Sequence, residues 1–191
     1  MSREQMIDQA VATALEVVEN IKPDQLDAPT PCAEFDVRKL VNHLLFWGPP
    51  LAGAGRKEQV APAVEAEPQV DLTAGDWAAD LTAHFRTLAS AWGEPSAWTG
   101  MTSVASPAEM PAEVIGAMVV SEVVVHTWDL ARATGQAPTW DDELLAFVHA
   151  DVAATAPEGR AMGLYGPEVP VPADAPLIDR IVGLTGRTPQ R

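Results

Sequence analysis

Four histidines are the side chains of this 191-residue chain best suited to acid–base or metal chemistry: His43, His84, His126 and His149. Two of them follow an acid at a spacing of four, Asp80 before His84 and Glu122 before His126. On a helix that spacing puts both side chains on one face. Acids are 27 of the 191 residues, so such pairs also arise by chance, and context has to separate them. Asp80 and His84 have polar neighbours and read as a surface helix pair. Glu122 and His126 sit in Val-Val-Ser-Glu-Val-Val-Val-His, a run apolar enough to be buried. A buried carboxylate is costly unless it is paired, protonated or bound to a cation. A divalent ion between Glu122 and His126 would satisfy both groups. His43, beside the apolar stripe of another helix, is the best third ligand. Two histidines and one carboxylate match catalytic zinc and non-haem iron sites, which keep positions open for water or substrate. The competing reading is a buried Glu–His hydrogen bond with His43 as an ordinary half-buried residue.

The other reactive residues read more plainly. Cys32 precedes a predicted helix N-terminus, which lowers a thiol pKa, but an isolated cysteine is more often structural. His149 has no acid at helical spacing and reads as structural or solvated. The six tryptophans suit a core, with Trp128 placed to line a cavity beside His126. Asp129 and Arg132 form either a helix ion pair or a pair that orients the site. The sequence has no dinucleotide fingerprint, P-loop, Gly-x-Ser-x-Gly elbow or His-Glu-x-x-His. The paired Glu-x-x-His motifs of a di-iron bundle are also missing.

The elements that must carry these residues are helices. Apolar residues recur at helical spacing from Met6 to Ile21, predicting a first helix over 2–21 that Pro23 ends. A second begins at Asp36, whose carboxylate suits an N-cap, and is predicted to stop at Gly48-Pro49-Pro50. Its buried stripe is Val37, Leu40, Val41, Leu44 and Leu45. Residues 53–72 read as a loop. A third helix is expected over 71–92, and a connection over 93–109. The fourth runs from Pro111, suited to the first turn, to Gly135, suited to the position just past a helix end. A fifth covers 141–156. A proline-rich tail leads to a short helix over 177–185. The sequence therefore predicts an all-α domain spanning 1–191, a bundle of four helices with an added C-terminal helix and an irregular tail.

Composition narrows the partners. Twelve Lys and Arg against 27 Asp and Glu give a formal charge of −15, which disfavours nucleic acid and anionic lipid surfaces. No signal-peptide core or membrane-spanning run is read in the sequence. One cysteine cannot form an intramolecular disulfide. The expectation is a cytoplasmic protein, a monomer or homodimer, acting on a small molecule.

Three segments carry a family resemblance: Thr30-Pro31-Cys32-Ala33-Glu34-Phe35-Asp36 running on through Val37 to His43 and Leu44; Glu122-Val123-Val124-Val125-His126-Thr127-Trp128-Asp129-Leu130 through Gly135; and Leu184-Thr185-Gly186-Arg187. Together they resemble the actinobacterial family related to mycothiol-dependent maleylpyruvate isomerase, in the DinB-like superfamily. The resemblance implies a DinB-like up-down four-helix bundle with a metal at one end of the core. It implies His43, Glu122 and His126 as the metal ligands, with zinc the usual ion and nickel able to fill the same site. It also implies a low-molecular-weight thiol, mycothiol, as cosubstrate in isomerisation or S-transfer. The isomerase itself has an additional C-terminal α/β domain, and residues 157–191 are too few to form one. Arg187 reads as a surface arginine. Metal-assisted hydrolysis and a non-catalytic, metal-stabilised binding or stress-response module are the competing functions.

Overall fold

The computed structural model describes residues 1–62 and 64–189, and these fold into an all-α protein. They form two compact units, residues 1–138 and 139–191. The first unit contains α1 (Arg3–Glu19), α2 (Val37–Gly55), α3 (Trp77–Trp92) and α4 (Ala112–Ala133). A two-stranded antiparallel ribbon, β1 (Met101–Thr102) and β2 (Met110–Pro111), leads into α4. The second unit contains α5 (Asp142–Ala161) and α6 (Leu177–Leu184).

Local chemistry fixes the helix starts. Ser2 accepts from the Gln5 amide, and the Gln5 side chain accepts from Ser2 N–H, a reciprocal capping box. Asp36 caps α2 by accepting from Lys39 N–H at 2.8 Å, as the sequence predicts. Asp76 caps α3, five residues later than the expected start at Asp71. Asp71 instead accepts from its own loop, at the Thr73 amide and hydroxyl.

In the first unit, α1 packs on α3 and α4, and α2 packs on α3 and α4. The order around the bundle is therefore α1, α3, α2, α4. Gly48 faces His84 and Gly55 faces Trp92, so α2 and α3 run parallel. Arg3 meets Glu113, and Val17 meets Gln136, so α1 and α4 are also parallel. A parallel pair needs the chain to travel back along a full helix before starting the next. Residues 56–76 make that return and pass close to the first turns of α2: the Leu72 amide donates to Asn42 Oδ1 at 2.8 Å.

α2 does not stop at Pro49-Pro50; it continues to Gly55. The prolines remove the donors that would serve the carbonyls of Leu45 and Phe46. The His84 ring packs against Gly48 just before the prolines. Beyond the prolines, Leu51, Ala52 and Ala54 are buried, and Gly55 lies against the Trp92 ring. Burial of that last turn compensates the lost backbone bonds. Pro157 is likewise carried inside α5, four residues short of its end at Ala161 and beyond the expected end at residue 156.

The core of the bundle is aliphatic, with Ile7, Leu40, Val41, Leu81, Val119 and Val120 fully buried. Trp92 and Trp98 meet edge to face at 5.3 Å, and their indole N–H groups donate to the carbonyls of Leu51 and Trp92. Helix α4 is long and apolar enough, by length and composition, to cross a membrane, but 78% of its most apolar window is buried inside the fold. It is the central helix the valine run predicts.

In the second unit α6 packs on α5. The Arg160 guanidinium donates to the Leu184 carbonyl at 2.8 Å, capping the end of α6. Gly186, at φ +86°, closes that end, and the Arg187 amide returns to the Val182 carbonyl. Arg187, expected at the surface, is buried, with its guanidinium donating to the Thr185 carbonyl.

Candidate metal centre

The site forms where the second turn of α2 faces the middle of α4. The Asp36 cap sets the phase of α2 and turns His43 inward. Just before the cap, Pro29 bridges to Asp36, and the Thr30 hydroxyl donates to the Phe35 carbonyl at 2.6 Å. This tight loop holds the Phe35 ring 5.2 Å from the His43 ring. On α4, spacings of four and three align Glu122, His126 and Asp129 on one face.

Glu122 Oε1 lies 3.0 Å from His43 Nε2 and 3.2 Å from His126 Nε2. The two imidazoles meet nearly edge to face, 5.3 Å apart. Each histidine then uses its other ring nitrogen on a second carboxylate. His43 Nδ1 donates to Glu67 Oε2 at 3.0 Å. His126 Nδ1 donates to Asp129 Oδ2 at 3.0 Å. Asp129 is fully buried, whereas the Glu67 side chain is 20% exposed. Glu122 keeps 30% of its side chain exposed, so the cluster opens to solvent on the Glu122 side.

The charges are tightly coupled. Burial pulls the His43 pKa down, but hydrogen bonds to Glu122 and Glu67 outweigh it and raise the value to about 9. Burial also opposes protonation of His126, and the charge of Glu122 and the hydrogen bond to Asp129 reverse the balance, raising its pKa. Burial pushes Glu122 up, yet the charge of His126 and hydrogen bonds to both imidazoles hold it well below the usual carboxylate range. The cluster therefore favours protons between two Nε2 atoms and one carboxylate oxygen. A divalent cation can replace such protons, because ligation needs neutral imidazole and ionised carboxylate.

The donor set fits such an ion. One ligand atom each from His43, Glu122 and His126 lies within 4.8 Å of the others. Both histidines present Nε2 inward while a carboxylate fixes Nδ1–H, the arrangement that sets tautomer and basicity in histidine metal sites. The three residues singled out in the sequence thus converge.

The remaining candidates fall elsewhere. Cys32 is half-buried in the loop before α2 and outside the cluster. His84 turns inward against α2 rather than forming the expected surface pair; Asp80 acts on it only through charge. Burial lowers the pKa of His149, in the second unit, and the charge of Arg180 lowers it further. Trp128 is buried. Of the Asp129–Arg132 pair, Asp129 serves the site through His126, and Arg132 is exposed. Glu67 escapes sequence reasoning altogether. It belongs to an Ala-, Pro- and Glu-rich connection without periodicity, in which several acids are equivalent until the chain path is known.

The mycothiol maleylpyruvate isomerase N-terminal domain model matches residues 7–131, which include all five residues of the cluster. Two uncharacterized proteins from two strains of Mycobacterium tuberculosis are each 33% identical over 176 residues, 88% of this chain and 88% of theirs. Among solved structures, the mycothiol-dependent maleylpyruvate isomerase superposes with a TM-score of 0.62 at 15% identity, covering 82% of this chain and 71% of the other. A histidine-to-alanine mutant of that isomerase gives 0.63 at 14% identity, over the same shares. At that identity the structural likeness speaks for the fold, while the match over residues 7–131 carries the assignment: the chain belongs to the mycothiol maleylpyruvate isomerase N-terminal domain family.

Proposed function

We propose that this protein is a metal-dependent enzyme that uses mycothiol in an isomerisation or S-transfer on a small electrophilic substrate. The observation that carries this reading is the approach of His43 Nε2 and His126 Nε2 to the same Glu122 oxygen, at 3.0 and 3.2 Å. The solved neighbours named for mycothiol dependence support the choice of thiol.

Within the reading, His43, Glu122 and His126 hold a divalent ion, zinc first and nickel as a substitute. When bound, such an ion supplies positive charge that favours the deprotonated form of a thiol near neutral pH. Glu67 and Asp129 accept the Nδ1 protons and keep both Nε2 lone pairs aimed inward. The valines flanking Glu122 and His126 exclude water from the inner side. Ligands reach the cluster from the Glu122 side.

The test begins with metal content by mass spectrometry on untagged protein, beside His43→Ala and His126→Ala. About one ion per chain in the parent and none in either variant is expected. Retention of one ion by both variants overturns the ligand assignment. Calorimetric titration of the loaded parent with mycothiol follows. Saturable binding that His126→Ala abolishes supports the thiol reading. Loaded protein that ignores mycothiol but turns over ester or amide substrates points to hydrolysis instead.

A further inference from the structure

At the far end of α2 lies a second feature, which does not depend on the reading above. An open groove of about 630 Å³ runs between the end of α2 and the last turns of α3. Gly55 on its wall is twelve residues beyond His43, about 18 Å along the helix, so the groove and the histidine cluster are separate.

The groove gathers positive charge in a negative protein. Arg56, Lys57 and Arg86 all line it, three of only twelve basic residues in a chain of formal charge −15. Among the described residues, no acid forms an ion pair with Arg86. Arg56 holds Glu58 through Nε at 2.8 Å, leaving its terminal nitrogens free for other acceptors. Lys57 Nζ donates to the Ala97 carbonyl at 2.6 Å and has two more protons to give. The hydroxyls of Thr87 and Ser90 add neutral polar groups to the same wall.

The backbone of Lys57 is the second observation. Its φ is +61°, a left-handed conformation at the end of α2. The turn closes as helix ends commonly do, with the Lys57 amide on the Ala54 carbonyl and the Glu58 amide on the Gly53 carbonyl. Glycine is the usual residue at such a position, because a side chain there is strained. Here the position carries a lysine that reaches across to the segment after α3. Strain kept at a residue lining a cavity points to a use for its side chain.

We propose that this groove binds a small oxyanion-bearing metabolite, with Arg56, Lys57 and Arg86 contacting its phosphate or carboxylate group. Guanidinium groups bind either anion through paired N–H donors, so the two sources share one recognition chemistry. Glu94 also lines the groove, and its carboxylate opposes the anion.

Nuclear magnetic resonance titration of the full chain tests this, with inorganic pyrophosphate in one series and succinate in another, both at constant ionic strength against sodium chloride. Saturable amide shifts at residues 55–58 and 86–96 are expected with at least one probe, and the tighter probe identifies the anion class. Arg86→Gln should weaken binding about fivefold, and Glu94→Gln should tighten it by a similar factor. Lys57→Gly is the sharpest variant. It removes the cation and relieves the left-handed backbone, so it should weaken binding about fivefold while the melting temperature holds or rises. Shifts that follow ionic strength without saturating overturn the proposal. So do shifts confined to the surroundings of His43 and His126, or unchanged affinity in both Lys57→Gly and Arg86→Gln.

Discussion

Replacing Asp129 by asparagine keeps the size and planar shape of the side chain and removes one negative charge. Asp129 is fully buried and accepts from His126 Nδ1 at 3.0 Å. The asparagine carbonyl oxygen can still accept that proton, so the imidazole should keep its orientation. What is lost is the charge assistance. Hydrogen bonds to an ionised partner contribute about 1.5–3 kcal/mol, against about 0.5–1.5 kcal/mol for neutral pairs. The difference, about 1.4 kcal/mol, is a tenfold loss of metal affinity. Asp129→Ala also leaves the Nδ1 proton without this acceptor in a dry environment, and the loss should approach a hundredfold. Glu67→Gln perturbs the other histidine, but Glu67 is 20% exposed and water can take its place, so about threefold is expected. Competition for zinc against a chromophoric chelator at neutral pH measures all three, with circular dichroism to verify folding. The expected order is Asp129→Ala, Asp129→Asn, Glu67→Gln from weakest binding to strongest. If Asp129→Asn binds zinc within twofold of the parent, the buried carboxylate does not tune His126.

Other expectations concern the scaffold. A Cβ on Gly116 would lie 2.5 Å from the Trp98 ring and 2.8 Å from Trp92, so Gly116→Ala should lose about 1–3 kcal/mol in urea unfolding. Asp36→Ala removes the cap of α2 and should cost about 1 kcal/mol, with metal affinity falling alongside because the same turn aims His43. Saturating zinc at about a thousandfold over its dissociation constant should stabilise the fold by about 4 kcal/mol, and excess chelator should remove that increment in a thermal melt. Burial lowers the His84 pKa below its ordinary value near 6.5, so the folded state binds fewer protons there than the unfolded chain. Its contribution is therefore intact above that pH and declines as the pH falls through it. His84→Asn should flatten the loss of stability between pH 7.5 and 5, and an unchanged slope counts against this assignment.

Much of the site is legible in the sequence because burial and charge conflict there. A carboxylate and a histidine one turn apart inside a valine-rich helix demand a partner, and a histidine beside another apolar stripe supplies it. Helix starts are legible where a short acid can cap, as at Asp36. Legibility fails where tertiary contacts override local rules. The prolines at 49 and 50 signal a helix end, yet Trp92 and His84 hold the following turn in place. The start of α3 is displaced because Asp71 serves a loop turn instead of a cap. Glu67 stays hidden because its partner depends on the path of residues 56–76, which no periodicity encodes. Arg187 gives no local hint of burial, since a charged residue after a glycine near the end of the sequence reads as exposed.

The two histidines of the cluster differ in what supports them, and that difference bears on how the protein can diversify. His126 is oriented by a residue of its own helix in the packed interior, where substitutions are poorly tolerated. His43 is oriented from a surface connection that exists only because α2 and α3 run in the same direction. Connections of this kind accept substitutions, insertions and deletions far more readily than helices do. Relatives can therefore vary the carboxylate behind His43, its reach or its very presence without repacking the bundle. If both histidines hold an ion as proposed, a single scaffold can explore different metal affinities and reactivities through changes in one loop, with the packed interior around His126 left as it is.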